Sequence, residues 1–258
     1  MSESKILTAL PVYNEVQHLK PVLAEVRKYC DRILVVDDGS NDGTSELLDA
    51  EDNLWVIHHE RNLGYGAGLR SAFEFAQCEG YDALVTIDCD GQHQPCLIPH
   101  LARALDEPDA VDIVSGSRYL QSFAGDSTPP ESRKAINMQI NELLAEELGL
   151  HVTDSFCGFK AYRVSALSSL EVTEAGYAMP MQFWVQVVAR GLSVREFPVP
   201  LIYLEEERSF GGSLDNSEKR MQYYLSVFER ERDRWESELA DASPRVGAPA
   251  EAPAGCSL

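Results

Sequence analysis

At 258 residues, with 44% hydrophobic and 25% charged side chains, the chain has the composition of one large folded unit, which excludes disordered, collagen-like and disulfide-scaffold classes. Acidic residues outnumber basic ones 42 to 22, and the net charge of −20 repels nucleic-acid phosphates at long range, so no nucleic-acid partner is expected. Only six of the 22 basic residues are lysines, and the arginines that remain are the side chains best suited to local anion sites.

No basic, apolar leader opens the chain, and the first strand is expected at 6–12. It ends in Pro11-Val-Tyr13-Asn14-Glu15, an aromatic ring and a carboxylate at a strand end, with Asn14 read as the cap of a helix at 14–29. Val16, Leu19, Val22, Leu23 and Val26 share one face of that helix. A second strand at 32–37 runs into Asp37-Asp38-Gly-Ser-Asn-Asp42-Gly-Thr44. There Asp37 and Asp38 can accept hydrogen bonds from a ribose or a base, while Asp42 and Thr44 read as turn and cap residues of a helix at 44–50. After a third strand at 54–58, Asn62-Leu-Gly64-Tyr-Gly66-Ala-Gly68 opens a helix at 66–78. Its small residues either admit a diphosphate at the helix start or allow close helix-to-sheet packing; the spacing is not the dinucleotide fingerprint.

The fourth strand, 83–87, leads into Asp88-Cys-Asp90-Gly-Gln92-His93. Carboxylates at i and i+2 can approach one divalent cation, and Mg²⁺ or Mn²⁺ on a diphosphate is the natural occupant; an Asp-Gly turn is the competing reading. His93 is either a further metal ligand or a structural imidazole. A helix is expected at 95–105, and a fifth strand, 112–115, precedes Arg118. Then come a loop at 121–131, a helix at 133–148 opening on Arg133, a strand-like 158–163, helices near 164–170 and 180–189, and a strand at 194–204 whose prolines suggest a sheet edge. Arg118, Arg133 and Arg208, the last beside Gly211, Gly212 and Ser213, are candidate phosphate ligands. Residues 214–239 read as an amphipathic helix with Met221, Leu225, Phe228, Trp235 and Leu239 on one side, and 241–258 as a disordered tail.

The alternation predicts an α/β fold: a mostly parallel central sheet, helices on both faces, and a ligand site beyond the carboxyl ends of the strands. Six cysteines without C-x-x-C or zinc spacing, and no run of 18 apolar residues, point to reduced thiols, the cytoplasm and no spanning helix.

Taken jointly, Ala9-Leu-Pro-Val-Tyr-Asn-Glu15, Val35-Val-Asp-Asp-Gly-Ser-Asn-Asp-Gly-Thr44, Asn62-Leu-Gly-Tyr-Gly66, Thr86-Ile-Asp-Cys-Asp-Gly-Gln-His-Gln-Pro95, Ser115-Gly-Ser-Arg-Tyr119, Thr153-Asp-Ser-Phe-Cys-Gly-Phe-Lys160 and Arg208-x-x-Gly-x-Ser213 resemble family 2 glycosyltransferases of the GT-A fold. Within that family they look most like the dolichyl- and polyprenyl-phosphate sugar synthases. The resemblance implies a GT-A catalytic domain at 1–213, followed by the helix at 214–240 and the tail at 241–258. It implies a metal-dependent inverting transferase that moves a hexose from a nucleotide sugar, of GDP-mannose or UDP-glucose type, to a polyprenyl or dolichyl phosphate.

By the same resemblance, Pro11, Tyr13, Glu15 and Asp38 hold the nucleoside, with Asp37 and Gly66 beside them. Asp88, Asp90 and Gln92 bind Mg²⁺ or Mn²⁺ on the donor diphosphate, and Arg118, Arg133, Arg208 and Ser213 hold phosphates of donor or acceptor. The catalytic candidates are Asp90, Arg118 and Asp154, the last as a base or acceptor-orienting carboxylate, with loop bracing as its alternative. Two departures stand out: a charged amphipathic helix where many lipid-linked relatives carry transmembrane helices, and Leu214 where such synthases often place a lysine. Peripheral membrane contact follows from the lipid acceptor. A soluble transferase using a hydroxyl acceptor is the alternative, and a non-catalytic nucleotide-sugar-binding protein a further one.

Overall fold

The computed structural model describes residues 4–204 and 211–253. Strands β1 (Ile6–Val12), β2 (Ile33–Asp37), β3 (Trp55–His58) and β4 (Ala83–Thr86) pair in parallel in the order β3-β2-β1-β4. Leu34 and Val36 enter one helix layer and Ile33 and Val35 the other, which is why β2 is apolar throughout its first four residues. Helices α1 (Leu19–Val26), α2 (Thr44–Asp49) and α3 (Tyr65–Cys78) connect these strands.

The helix expected from residue 14 starts only at Leu19. Asn14 has φ 56°, its N–H donates to Ser40 Oγ at 2.9 Å, and its Oδ1 accepts from Asn41 N at 2.9 Å. Glu15 N and Val16 N donate to Thr44 Oγ1 and Asp42 Oδ2. Residues 14–16 are therefore tied to the β2–α2 turn, and Asn14 is no helix cap. Asp42 does brace the start of α2, accepting from Thr44 N at 3.0 Å.

Further along come α4 (Ile98–Arg103), β5 (Ile113–Ser117), α5 (Glu131–Leu148), β6 (Lys160–Arg163), α6 (Val164–Leu167), α7 (Met179–Ala189) and β7 (Ser193–Pro198). Strand β6 runs antiparallel between β4 and β5 and joins the two halves of the sheet. Strand β7 is not the expected edge. It lies between β5 and a short parallel strand, β8 (Arg245–Val246), and its proline ends the ladder at the last residue. Part of the segment expected to be disordered is thus docked: Gly247 N donates to Val194 O and Ala250 N to Glu196 O, both at 2.8 Å. The buried Arg195 guanidinium donates to the carbonyls of Ala248, Ala104 and Asp109. Main-chain pairing needs no large apolar side chains, so composition alone misses it.

Helices α8 (Ser217–Arg234) and α9 (Glu236–Ala240) close the described chain before β8. The buried stripe of α8 is Arg220, Tyr224, Val227, Phe228 and Glu231, with Trp235 beyond it. Met221 and Leu225, expected on the inner face, are only half-buried. Two polar, ionisable residues in the inner stripe, Arg220 and Glu231, explain the error, because hydropathy selects against them. Glu231 accepts from Gln182 Nε2 at 2.7 Å and Gln186 Nε2 at 3.2 Å on α7, while Tyr224, Val227 and Phe228 join the main core. Among the described residues no helix is long and apolar enough to cross a membrane.

Candidate active site

A cleft of about 320 Å³ opens beyond the carboxyl ends of β1, β2 and β4. Pro11, Tyr13 and Glu15 enter it from β1, and Asp38 follows β2. Asp38 organises its own wall: Oδ1 accepts from Leu63 N at 2.8 Å and lies 2.6 Å from His59 Nδ1, while Oδ2 accepts from Gly64 N at 2.7 Å. Its neighbour Asp37 does not line the cleft. Asp37 is buried beneath the turn and bonded to Ser40 N, Ser45 Oγ and His58 Nδ1. Burial pushes its carboxyl up, but those hydrogen bonds outweigh burial and hold it below the usual carboxylate range.

Gly66 does not line the cleft either. A Cβ there would overlap Glu174 O and come within 2.9 Å of Met179 Cβ, so glycine lets α3 pack against the 174–179 segment. Ala67 N already donates to Ala175 O at 3.1 Å, which closes this end of α3 with protein. Of the small residues here, Gly64 and Gly68 do face the cleft.

After β4 the chain turns, and Asp88, Asp90 and Gln92 all line the cleft. Asp90 Oδ1 accepts from Gln92 N at 2.9 Å, which fixes the turn. The Asp88 carboxylate lies against the bare Cα of Gly158, where a Cβ would overlap Oδ2, and Tyr65 OH donates to Oδ1 at 3.4 Å. Among the described residues no three His, Cys, Asp or Glu side chains converge as a metal cage. Two carboxylates and an amide nonetheless fit Mg²⁺ or Mn²⁺, hard cations that complete their shells with diphosphate oxygens and water. His93 is buried, its ring centroid 5.1 Å from that of Phe159 and its Nε2 3.8 Å from Asp88 Oδ2. Burial pulls its imidazole down to about 4.

Arg118 and Arg133 line the same cleft. Asp154 does not: it is wholly buried, and Arg118 Nε and Nη2 donate to its two oxygens at 2.7 and 2.9 Å, with Arg118 N adding a third bond at 3.1 Å. Burial favours the neutral acid, but Arg118 overrides it and holds the carboxyl below its ordinary range. A network fixes the surrounding loop: Thr153 N and Oγ1 donate to Glu196 Oε1, and Asn137 and Asn141 donate to Thr153 O. Ser213 is exposed in the 3-10 turn Gly212–Asp215 and does not line the cleft, while Arg208 lies outside the described residues.

Several cleft residues escaped the sequence reading: Tyr65, Asn137, Tyr177, Tyr203, Arg220 and Tyr224. Tyr65 and Tyr177 stack with centroids 6.0 Å apart and planes at 14°. Arg220 and Tyr224 are four residues apart and share the inner face of α8 with Val227 and Phe228. That spacing was the available signal, masked by the charge on Arg220.

Residues 8–170 match the model of "Glycosyl transferase family 2". The chain is 33% identical over 214 residues to polyprenol monophosphomannose synthase of Mycolicibacterium smegmatis, covering 79% of this chain and 78% of that protein. It is 32% identical over 219 residues to undecaprenyl-phosphate mannosyltransferase of Micrococcus luteus, covering 81% and 88%. In fold it resembles glucosyl-3-phosphoglycerate synthase of Mycobacterium tuberculosis, solved with Mn²⁺, UDP and phosphoglyceric acid, at a TM-score of 0.67 and 20% identity over 88% of this chain and 78% of that one. The mostly parallel sheet between two helix layers is that of a GT-A glycosyltransferase.

Proposed function

The chain belongs to glycosyl transferase family 2, and from that premise we propose that it transfers a hexose from a nucleotide-diphosphate sugar to a polyprenyl phosphate, with inversion and with Mg²⁺ or Mn²⁺. The observation that carries the acceptor class is the bidentate Arg118–Asp154 pair. A hydroxyl acceptor needs a base to take its proton. Asp154, the carboxylate matched to that task by sequence, is closed off by Arg118 and held ionised, which makes it a poor proton acceptor. A phosphate oxygen is anionic near neutral pH and needs only to be positioned, which guanidiniums do. The relatives named for transfer to polyprenol and undecaprenyl phosphate support the same class.

In this reading Pro11, Tyr13 and Glu15 receive the nucleoside on the wall that Asp38 shapes. Asp88, Asp90 and Gln92 hold the cation, which when bound neutralises charge on the departing nucleoside diphosphate. Arg118 and Arg133 orient phosphate groups, and Asp154 is a positioning residue that fixes Arg118. The acceptor phosphate oxygen attacks the anomeric carbon as the bond to the donor diphosphate breaks, and the diphosphate leaves with the electron pair. Asp37 and Gly66 hold the frame. Catalysis resides in residues 1–213, with α8 completing the cleft through Arg220 and Tyr224, and the lipid tail brings the protein to the cytoplasmic face of a membrane as a peripheral enzyme.

The test is a transfer assay with Mg²⁺ or Mn²⁺, radiolabelled GDP-mannose and UDP-glucose, and a short polyprenyl phosphate, with label extracted into organic solvent. Metal-dependent label in that phase, absent from an Asp88→Ala/Asp90→Ala variant, is the expected result. Label released only as free sugar overturns the lipid acceptor.

A further inference from the structure

The family match ends at residue 170, but the cleft does not. Tyr177, Tyr203, Arg220 and Tyr224 complete it from elements that the family model leaves out. Arg220 is 4% exposed, and its Nη1 donates to Leu214 O at 2.7 Å, which fixes the guanidinium at the start of α8. Burial and the Arg133 guanidinium disfavour its charged form, while Tyr224 and the Asp215 carboxylate favour it. Arg220 and Arg133 line the same cleft, so an anion bound there meets both guanidiniums.

Helix α8 is firmly seated. Glu231 is bonded to Gln182 and Gln186, Phe228 is 1% exposed, and Tyr223 OH donates to Glu174 in the segment that brings Tyr177 to the cleft. Tyr177, Tyr203 and Tyr224 line the cleft with these arginines, and the Tyr203 ring centroid lies 5.9 Å from the Arg133 guanidinium carbon. Such a surface suits a phosphate whose substituent is an apolar chain, since the rings take the first carbons while the guanidiniums take the oxygens.

We propose that Arg220 is an acceptor-phosphate ligand, and that α8 is the element by which this chain selects a phosphate monoester of an apolar alcohol. The proposal deepens the acceptor reading above and rests on it.

The experiment compares wild type with Arg220→Gln and Arg220→Lys, using geranyl phosphate both as acceptor in the transfer assay and as a calorimetric ligand without donor. Arg220→Gln is expected to weaken geranyl phosphate binding and raise its KM by about tenfold or more, the scale of one lost charge-assisted hydrogen bond, with donor KM within about twofold. Arg220→Lys, which keeps the charge without the planar fork, is expected to fall between. An unchanged acceptor KM, or donor and acceptor KM rising together, overturns the role. If wild type binds geranyl phosphate, the Gln variant does not, and neither transfers sugar to it, Arg220 stands and the transferase reading falls. Equal binding by wild type and variant, with transfer intact, gives the converse, and no binding by wild type overturns both.

Discussion

The two walls of the cleft are assembled by different means. Pro11, Glu15, Asp38, Asp88 and Asp90 sit within a few residues of strand ends that a parallel ladder holds in line, with Pro11 opposite Val36, and Ala9 opposite Thr86. Arg118, Arg133, Tyr203 and Arg220 come from a strand end, a helix start, a coil and a distant helix. The first wall is built by local sequence on a rigid sheet; the second exists only once helices have packed. Substitutions on the first should therefore cost chemistry and spare stability, while those beneath the second should cost both.

The largest expected effect tests the first half of that contrast. Asp88→Ala/Asp90→Ala should lower kcat by about 10³-fold or more, the scale of removing preorganised charge stabilisation, with Tm within a few degrees of wild type. Both side chains are partly exposed to the cleft, so little packing is lost. A variant that unfolds instead would place these carboxylates in the frame.

Asp154→Asn tests the second half. It leaves the Arg118 guanidinium facing a neutral amide in a buried site, at a cost of about 3 kcal/mol or more, together with a fall in kcat/KM. The folded-state carboxyl lies below its unfolded value of about 3.9, so its contribution is full above that pH and is lost as pH falls through the depressed value. The Tm gap between wild type and variant is thus expected to be wide at pH 7 and to narrow below about pH 4. A gap that does not change with pH would show that the pair contributes through shape alone.

The same contrast explains what could be read from the chain. The starts and ends of β1 and β2 were legible to within a residue, because short apolar runs flanked by charged and turn-forming residues leave few alternatives. Asp88, Asp90, Arg118 and Arg133 were found because each follows a strand or opens a helix. Asp37 and Asp38 looked alike in sequence, yet successive side chains point to opposite sides and only Asp38 faces the cleft. Asp154 was singled out with catalytic and loop-bracing roles both open, since nothing local says that Arg118, 36 residues earlier, will occupy both its oxygens. Arg220 and β8 were missed for a related reason: one is a charged residue on an inner helix face, the other a strand with only two paired residues.

A smaller effect sharpens the comparison most. Glu231 lies about three turns from Arg220 along α8 and does not line the cleft, but it bonds two glutamines of α7. In Glu231→Gln one of those two bonds becomes an amide facing an amide, leaving a buried donor unpaired at a cost of about 1–2 kcal/mol, or roughly 2–4 °C of Tm per kcal/mol in a domain of this size. If α8 serves only the acceptor wall, loosening it should raise acceptor KM a few-fold and leave donor KM in place. The variant removes no cleft side chain, so that asymmetry can arise only through the seating of Arg220 and Tyr224. A parallel rise in both constants would mean that α8 braces the whole cleft, and the division into two independently built walls would fail.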